Sequence, residues 1–163
     1  VKRDVILFVG LLIISMFLFL AVYGLNQAGA ESDGYFVLCD PTSYVNARIQ
    51  PKKAAEIAGR YECGDFVETD GKERNGFVHI VNCSFEYTDA WVSKRYLVKS
   101  EPIISETVAT IRAKGRVAAR RWVNGKRKSW MKPGTTITVY AMSEEWSVTS
   151  RGFVQTRYLE VQN

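Results

Sequence analysis

The chain has a single histidine among its 163 residues, His79. Any Ser-His-Asp set would have to use it, and its nearest reactive neighbour is Cys83, four positions on in His79-Ile80-Val81-Asn82-Cys83. That stretch reads as a strand and its end, whereas a nucleophilic cysteine sits where its thiolate is stabilised, commonly at a helix start. No catalytic residue is therefore assigned, and the chain is not expected to be an enzyme. Glycine-rich phosphate loops and the His/Cys spacings of metal centres are also missing, so neither cofactor nor metal is expected.

Cysteine is scarce and odd in number: Cys39, Cys63 and Cys83. Outside the cytoplasm a bridge is permitted, and Cys39 with Cys63 is the preferred possible disulfide, one on an incoming strand and the other in a turn. The other two pairings, and a fully reduced set, stay open at this point.

Charge is absent between Val5 and Leu25, a run long enough to cross about 30 Å of hydrocarbon as a helix. Lys2 and Arg3 precede it, and the positive-inside rule then places everything after Leu25 on the outer face of a membrane. Two fates fit: a retained anchor through residues 5–25, or a secretory signal cleaved near Ala30, after the small-residue pattern Ala28-Gly29-Ala30. Acidic residues are few in the second half. Residues 36–99 carry nine basic and nine acidic side chains, but from Ala113 onward there are ten basic and three acidic, a net +7. Such an excess draws anionic partners by an attraction that salt weakens, although a solvated basic surface with no partner has the same composition.

What the chain does contain, it states twice. Trp91-Val92-Ser93-Lys94-Arg95-Tyr96-Leu97 returns as Phe153-Val154-Gln155-Thr156-Arg157-Tyr158-Leu159, and Val45-Asn46-Ala47-Arg48 returns as Val117-Ala118-Ala119-Arg120. The openings lie 72 residues apart and the closings 62, so a frame is duplicated while its loops change length. A solenoid would hold a shorter and stricter period. Units of about 50–65 residues bury little core, so they must be compact β-barrels or lean on each other. Short strands are expected at Tyr35–Cys39, Val45–Arg48, Ile57–Tyr61, Phe66–Thr69, Phe77–Val81, Thr107–Ile111 and Thr135–Tyr140. Turns are expected at Cys63-Gly64-Asp65, Asp70-Gly71, Asn75-Gly76 and Lys132-Pro133-Gly134. The implied organisation is a signal or anchor (1–30), a linker and incoming strand (31–43), a first domain (44–99), a connector (100–112) and a second, basic domain (113–163).

Val45, Asn46, Arg48, Pro51, Ile57, Gly59, Gly64, Trp91, Val92, Tyr96 and Leu97 occur in an order and spacing that resembles the bacterial SH3-like domain. Ala90 and Phe77 depart from it, standing where that family usually has Gly and Trp. The second half is similar but more divergent, since the Asn and Pro of its opening are absent. The resemblance implies an all-β fold of two small SH3-like β-barrels in tandem, preceded by one N-terminal hydrophobic helix. It also implies a non-catalytic protein, outside a bacterial membrane, that recognises cell-wall peptidoglycan or an anionic wall polymer. The alternative is a protein-interaction or structural subunit of a bacterial membrane assembly, with an extracellular or membrane protein as partner. Nucleic acid is not expected, because it lies on the wrong side of the membrane.

The sharpest ligand candidate is the run from Arg120 to Trp130, with Arg120, Arg121, Lys126, Arg127 and Lys128 as cations beside Trp122. Cations attract phosphates or carboxylates, and indole faces stack on sugars, prolines or bases. If the resemblance extends to binding, Tyr96 and Tyr158 are its aromatic contacts. Trp130, Trp91, Leu97, Phe153 and Leu159 are expected in the core.

Overall fold

The computed structural model describes residues 33–81, 83, 85 and 90–162. The hydrophobic run at 5–25, with the helix and the signal or anchor expected of it, lies outside the described residues. Among the described residues no helix is long and apolar enough to cross a membrane. Ser32–Asn163 form one compact unit.

That unit is all-β, with two seven-stranded antiparallel sheets. The first contains β1 (Asp33–Val37), β2 (Tyr44–Arg48), β3 (Ile57–Glu62), β4 (Phe66–Arg74), β5 (Phe77–Val81), β6 (Ala90–Ser93) and β7 (Leu97–Val98). The second contains β8 (Ile103–Ile111), β9 (Val117–Arg120), β10 (Arg127–Met131), β11 (Thr136–Met142), β12 (Trp146–Thr149), β13 (Gly152–Gln155) and β14 (Leu159–Val161). Their orders are β3-β2-β6-β5-β4-β1-β7 and β10-β9-β13-β12-β11-β8-β14, the same topology strand for strand. The incoming strand and the connector are thus working members of the sheets. β1 pairs with β4 and β7, and β8 pairs with β11 and β14.

The duplication reaches single hydrogen bonds. Gly64 N–H donates to Val37 O at 2.8 Å, as Gly134 N–H does to Ile111 O at 2.9 Å. Leu38 N–H donates to Tyr96 O at 2.7 Å, as Arg112 N–H does to Tyr158 O at 2.8 Å. Each closing heptad is the last long strand, a 3-10 turn (Lys94–Tyr96 or Thr156–Tyr158) and the start of the final strand.

One expected turn is not a chain reversal. At Asp70-Gly71 the chain stays in β4 and the register with β5 shifts between Thr69 and Glu73. Gly71 absorbs the bulge at φ +75°. The reversal falls at Asn75-Gly76, both in the left-handed region at φ 54° and 74°, the geometry of a two-residue hairpin loop. Asp70 is held in the sheet by its own bonds: its carboxylate accepts from Lys72 N–H at 3.1 Å and lies 2.9 Å from His79 Nδ1 on β5.

The two sheets share apolar surface. Val37, Leu38, Ile80, Val92 and Leu97 of the first half form one continuous cluster with Val123, Ala141, Trp146, Val148 and Phe153 of the second. A smaller cluster of Ile111, Val117, Ala119, Met131, Ile137 and Val154 belongs to the second half alone. Side chains alternate across a strand, and here both faces are covered: Phe153 joins the shared cluster while its neighbour Val154 joins the other. β12 is buried at all four positions for the same reason. Its Ser147 is not left unpaired, since its hydroxyl meets Thr156 Oγ1 at 2.9 Å. Small units that bury little core separately have gained it by docking.

Candidate functional site

Each half presents a groove between its opening strand and its 3-10 turn. In the second half a cavity of about 630 Å³ is lined by Arg112, Lys114, Arg116, Arg120 and Arg157 around Trp130 and Tyr158. None of the described side chains lining it is a carboxylate. Three of the cations have local partners. Arg112 pairs with Glu160. Arg120 Nη1 donates to Gly125 O at 2.7 Å. Arg157 Nη2 donates to Gln155 Oε1 at 2.8 Å and to the Tyr158 hydroxyl at 3.0 Å. Among the described residues no ion pair involves Lys114 or Arg116, so these two offer charge to a ligand.

The equivalent groove of the first half, about 620 Å³, is lined by Tyr44, Asn46, Arg48, Lys52, Lys53, Arg95 and Tyr96, and by Trp122 of the second half. Arg48 repeats the commitment of Arg120, donating from Nη1 to Ala55 O at 2.6 Å. The recurring opening arginine therefore pins the loop that follows it. Arg95 lies with its guanidinium 4.4 Å from the centre of the Trp122 ring.

The basic run from Arg120 to Trp130 is not one site. Its first residues form a tight turn, with Gly125 N–H donating to Trp122 O at 2.9 Å and Asn124 at φ 56°. Arg127 to Trp130 are already in β10, paired with β9 across a bulge. The side chains then part: Trp122 goes to the first groove, Arg120 and Trp130 to the second, and Arg121 and Lys128 to a recess beside Asp40 and Ser150. Lys126 is exposed, and its carbonyl closes the hairpin by accepting from Arg121 N–H at 3.0 Å. Arg127 stacks over Trp130 at 4.6 Å. Tyr96 and Tyr158 occupy matching places on the two 3-10 turns, one in each groove.

Trp130 is 51% exposed rather than in the core, because it stands on the outer face of an edge strand. Leu97 and Phe153 are buried, while Leu159 is half-buried against the second cluster. Trp91 is half-buried too, its ring 4.9 Å from that of His79. Lys52, Lys53, Lys114 and Arg116 were not singled out by the sequence as ligand residues. Superposing the two openings sets Tyr44 on Arg116 and Arg48 on Arg120 and so marks the position of Arg116, but it gives no signal for the three lysines.

Cys39 and Cys63 are brought together, both buried and both thiols, with Cys39 N–H 3.4 Å from Cys63 Sγ. The Cys39 thiol is pushed up by its hydrogen bond to Cys63 and by burial. Accepting that bond draws Cys63 down to about 7, against its own burial. Cys83 is a half-buried thiol packed against the shared cluster. Among the described residues no three His, Cys, Asp or Glu side chains converge as metal ligands.

Asp70 carries a pH-dependent contribution. Its partial burial opposes ionisation, but hydrogen bonds from Lys72 and His79 outweigh that and hold it below the usual carboxylate range. A depressed carboxylate stabilises the fold above its unfolded value, near 4, and that contribution is lost as the pH falls through the lower folded value. Asp70→Asn is therefore expected to cost about 1 kcal/mol at pH 7. In thermal melts the gap from wild type should close as the pH falls below about 4. A gap that is constant with pH would assign the loss to packing.

No family model matches the chain, and no curated protein does. Among solved structures it is similar to two proteins of Trichomonas vaginalis. NlpC2 is 13% identical with a TM-score of 0.35, over 82% of this chain and 49% of that one. NlpC1 is 14% identical with a TM-score of 0.36, over 83% of this chain and 48% of that one. The chain spans about half the length of these solved chains.

Proposed function

We propose that the chain is a non-catalytic binding protein of two SH3-like barrels, exposed outside a bacterial membrane, that holds peptidoglycan or an anionic wall polymer. The sheets are open, with β3 and β7 at the edges of one and β10 and β14 at the edges of the other. Their shared strand order and the 3-10 turn before each final strand support a duplicated SH3-like unit. The outer placement rests on the uncharged run at 5–25 behind Lys2 and Arg3. The single observation that carries the binding reading is the second groove, five cations and two aromatic rings with no carboxylate among its described lining. Such a surface attracts polyanions at a distance and hydrogen-bonds them on contact.

The test is retention of the full chain, in neutral detergent, on purified cell walls before and after their anionic polymers are stripped. Joint replacement Lys114→Gln and Arg116→Gln is expected to weaken retention by roughly tenfold, on the order of one charge-assisted contact, and to flatten its salt dependence. No retention by the wild-type chain at physiological salt would reject the wall reading.

A second reading, a protein-interaction or structural subunit of a membrane assembly, has its own observation. Ile103, Ile104 and Phe66 are large apolar side chains left exposed, and Ile104 lies against Gly64, two residues from Phe66. Large apolar side chains left exposed are a feature of protein contacts.

A further inference from the structure

The two grooves are equivalent by topology but not by construction. Every residue lining the second groove comes from the second half. The first groove takes Trp122 from the other repeat. That side chain is placed from three directions. Val123, next to it, is buried in the shared apolar cluster and donates its N–H to Arg95 O at 3.1 Å. The Arg95 guanidinium covers the indole at 4.4 Å. Gly125 lets the turn close upon the ring, since a Cβ there would stand 2.4 Å from it. The wall is thus built by docking of the repeats, and nothing in the first repeat's own sequence supplies it.

Other walls of this groove are also tied. Asn75 Nδ2 donates to Pro51 O at 3.2 Å, linking the hairpin loop to the loop after β2. Of its cations, Arg48 is bonded to Ala55 O and Arg95 is stacked on Trp122. Lys52 and Lys53 are exposed at the rim, with no ion pair among the described residues. Tyr44, Tyr96 and Trp122 provide aromatic surface, and Asn46 and Ser93 provide neutral polar groups. A long polyanion is served better by a row of cations, as in the second groove. Two rim cations beside aromatic rings and amide and hydroxyl groups suit a peptide, whose backbone hydrogen-bonds, whose side chains pack on rings and whose carboxylates meet lysine.

We propose that the first groove is a composite site for a short acidic peptide, in which Trp122 of the second repeat is a wall that the first repeat alone lacks. The site is separate from the second groove, since the two share no lining residue.

The experiment is fluorescence anisotropy of the full chain in neutral detergent with two fluorescein-labelled pentapeptide pools. One pool has glutamate at its second and fourth positions and random residues elsewhere, and the other has glutamine in place of glutamate. The acidic pool is expected to bind about tenfold more tightly than the neutral one, and Lys52→Gln with Lys53→Gln to erase that preference. Trp122→Ala should weaken binding of the acidic pool by about tenfold, while Trp122→Phe, which keeps a ring under Arg95, restores most of it. Thermal melts of both variants separate a lost wall from a lost fold. Equal binding of the two pools overturns the proposal, as does no binding of the acidic pool. So does a folded Trp122→Ala variant that binds as wild type, or loss of binding in the Lys114→Gln, Arg116→Gln variant alone.

Discussion

Replacing Trp146 with alanine is expected to lower stability by about 4 kcal/mol and to leave both halves unfolding in one transition. Trp146 is 2% exposed, near the start of β12. It belongs to the cluster that also holds Val37, Leu38, Ile80 and Leu97 of the first half. Its removal leaves a void in apolar surface that both repeats use, and close-packed neighbours relax into such a void only in part. Urea unfolding followed by circular dichroism, with hydrogen exchange reading each sheet separately, gives the answer. Two transitions, with the first sheet unaffected, would show that the repeats are thermodynamically independent and that the shared cluster contributes little.

Gly152→Ala is expected to cost about 3 kcal/mol or more, through backbone rather than core packing. Gly152 has φ +120°, and a Cβ there would stand 2.5 Å from the carbonyl oxygen of Arg120. Arg120 is the residue through which β9 pairs with β13, opposite Phe153. A methyl group would push the two strands apart at that contact. The turn leaves no slack, since Thr149 Oγ1 donates to Gly152 O at 2.7 Å and accepts from Arg151 N–H at 3.2 Å. Gly115→Ala is the control: nothing lies within 4 Å of its Cβ position, and the change should stay within about 0.5 kcal/mol. Equal melting temperatures for the two variants would refute the steric argument.

The same position explains a departure visible in the sequence. Ala90 of the first repeat corresponds to Gly152 of the second, directly before the Trp or Phe of the closing heptad. Ala90 is not among the residues of positive φ. In the second half β12 returns to β13 through Ser150 and Arg151 alone, whereas eight residues separate Val81 from Ala90 in the first. A tight return demands the unusual backbone, and a longer one removes the demand.

Much of the fold was legible because its signals are local. The strand segments, the reversals at Asn75-Gly76 and around Gly64 and Gly134, and the doubled opening and closing each depend on a few neighbouring residues. Asp70-Gly71 misled for a non-local reason: the sequence shows a turn dipeptide, but not that His79 on the next strand holds the aspartate inside the sheet. Trp130 misled likewise, since an indole is expected in the core by its apolar bulk, and only the strand pairing shows that β10, which carries it, is an edge.

The candidate site was less legible. The basic run is continuous in sequence, yet alternation along β10 and the tight turn at 122–125 send its side chains to three places. Lys114 and Arg116 drew no notice because they are ordinary charges on either side of a glycine, and only the groove gathers them with Trp130 and Tyr158.

By itself, then, the sequence determined a duplicated all-β chain with a basic second half, since strand alternation, turn residues and charge balance are properties of short segments and of composition. Only the tertiary structure decided that the two repeats share one apolar cluster, that the cations divide between two grooves, and that Trp122 walls the groove of its neighbour. These depend on which surfaces meet when the sheets dock, and that is set by complementary burial between residues far apart in the chain.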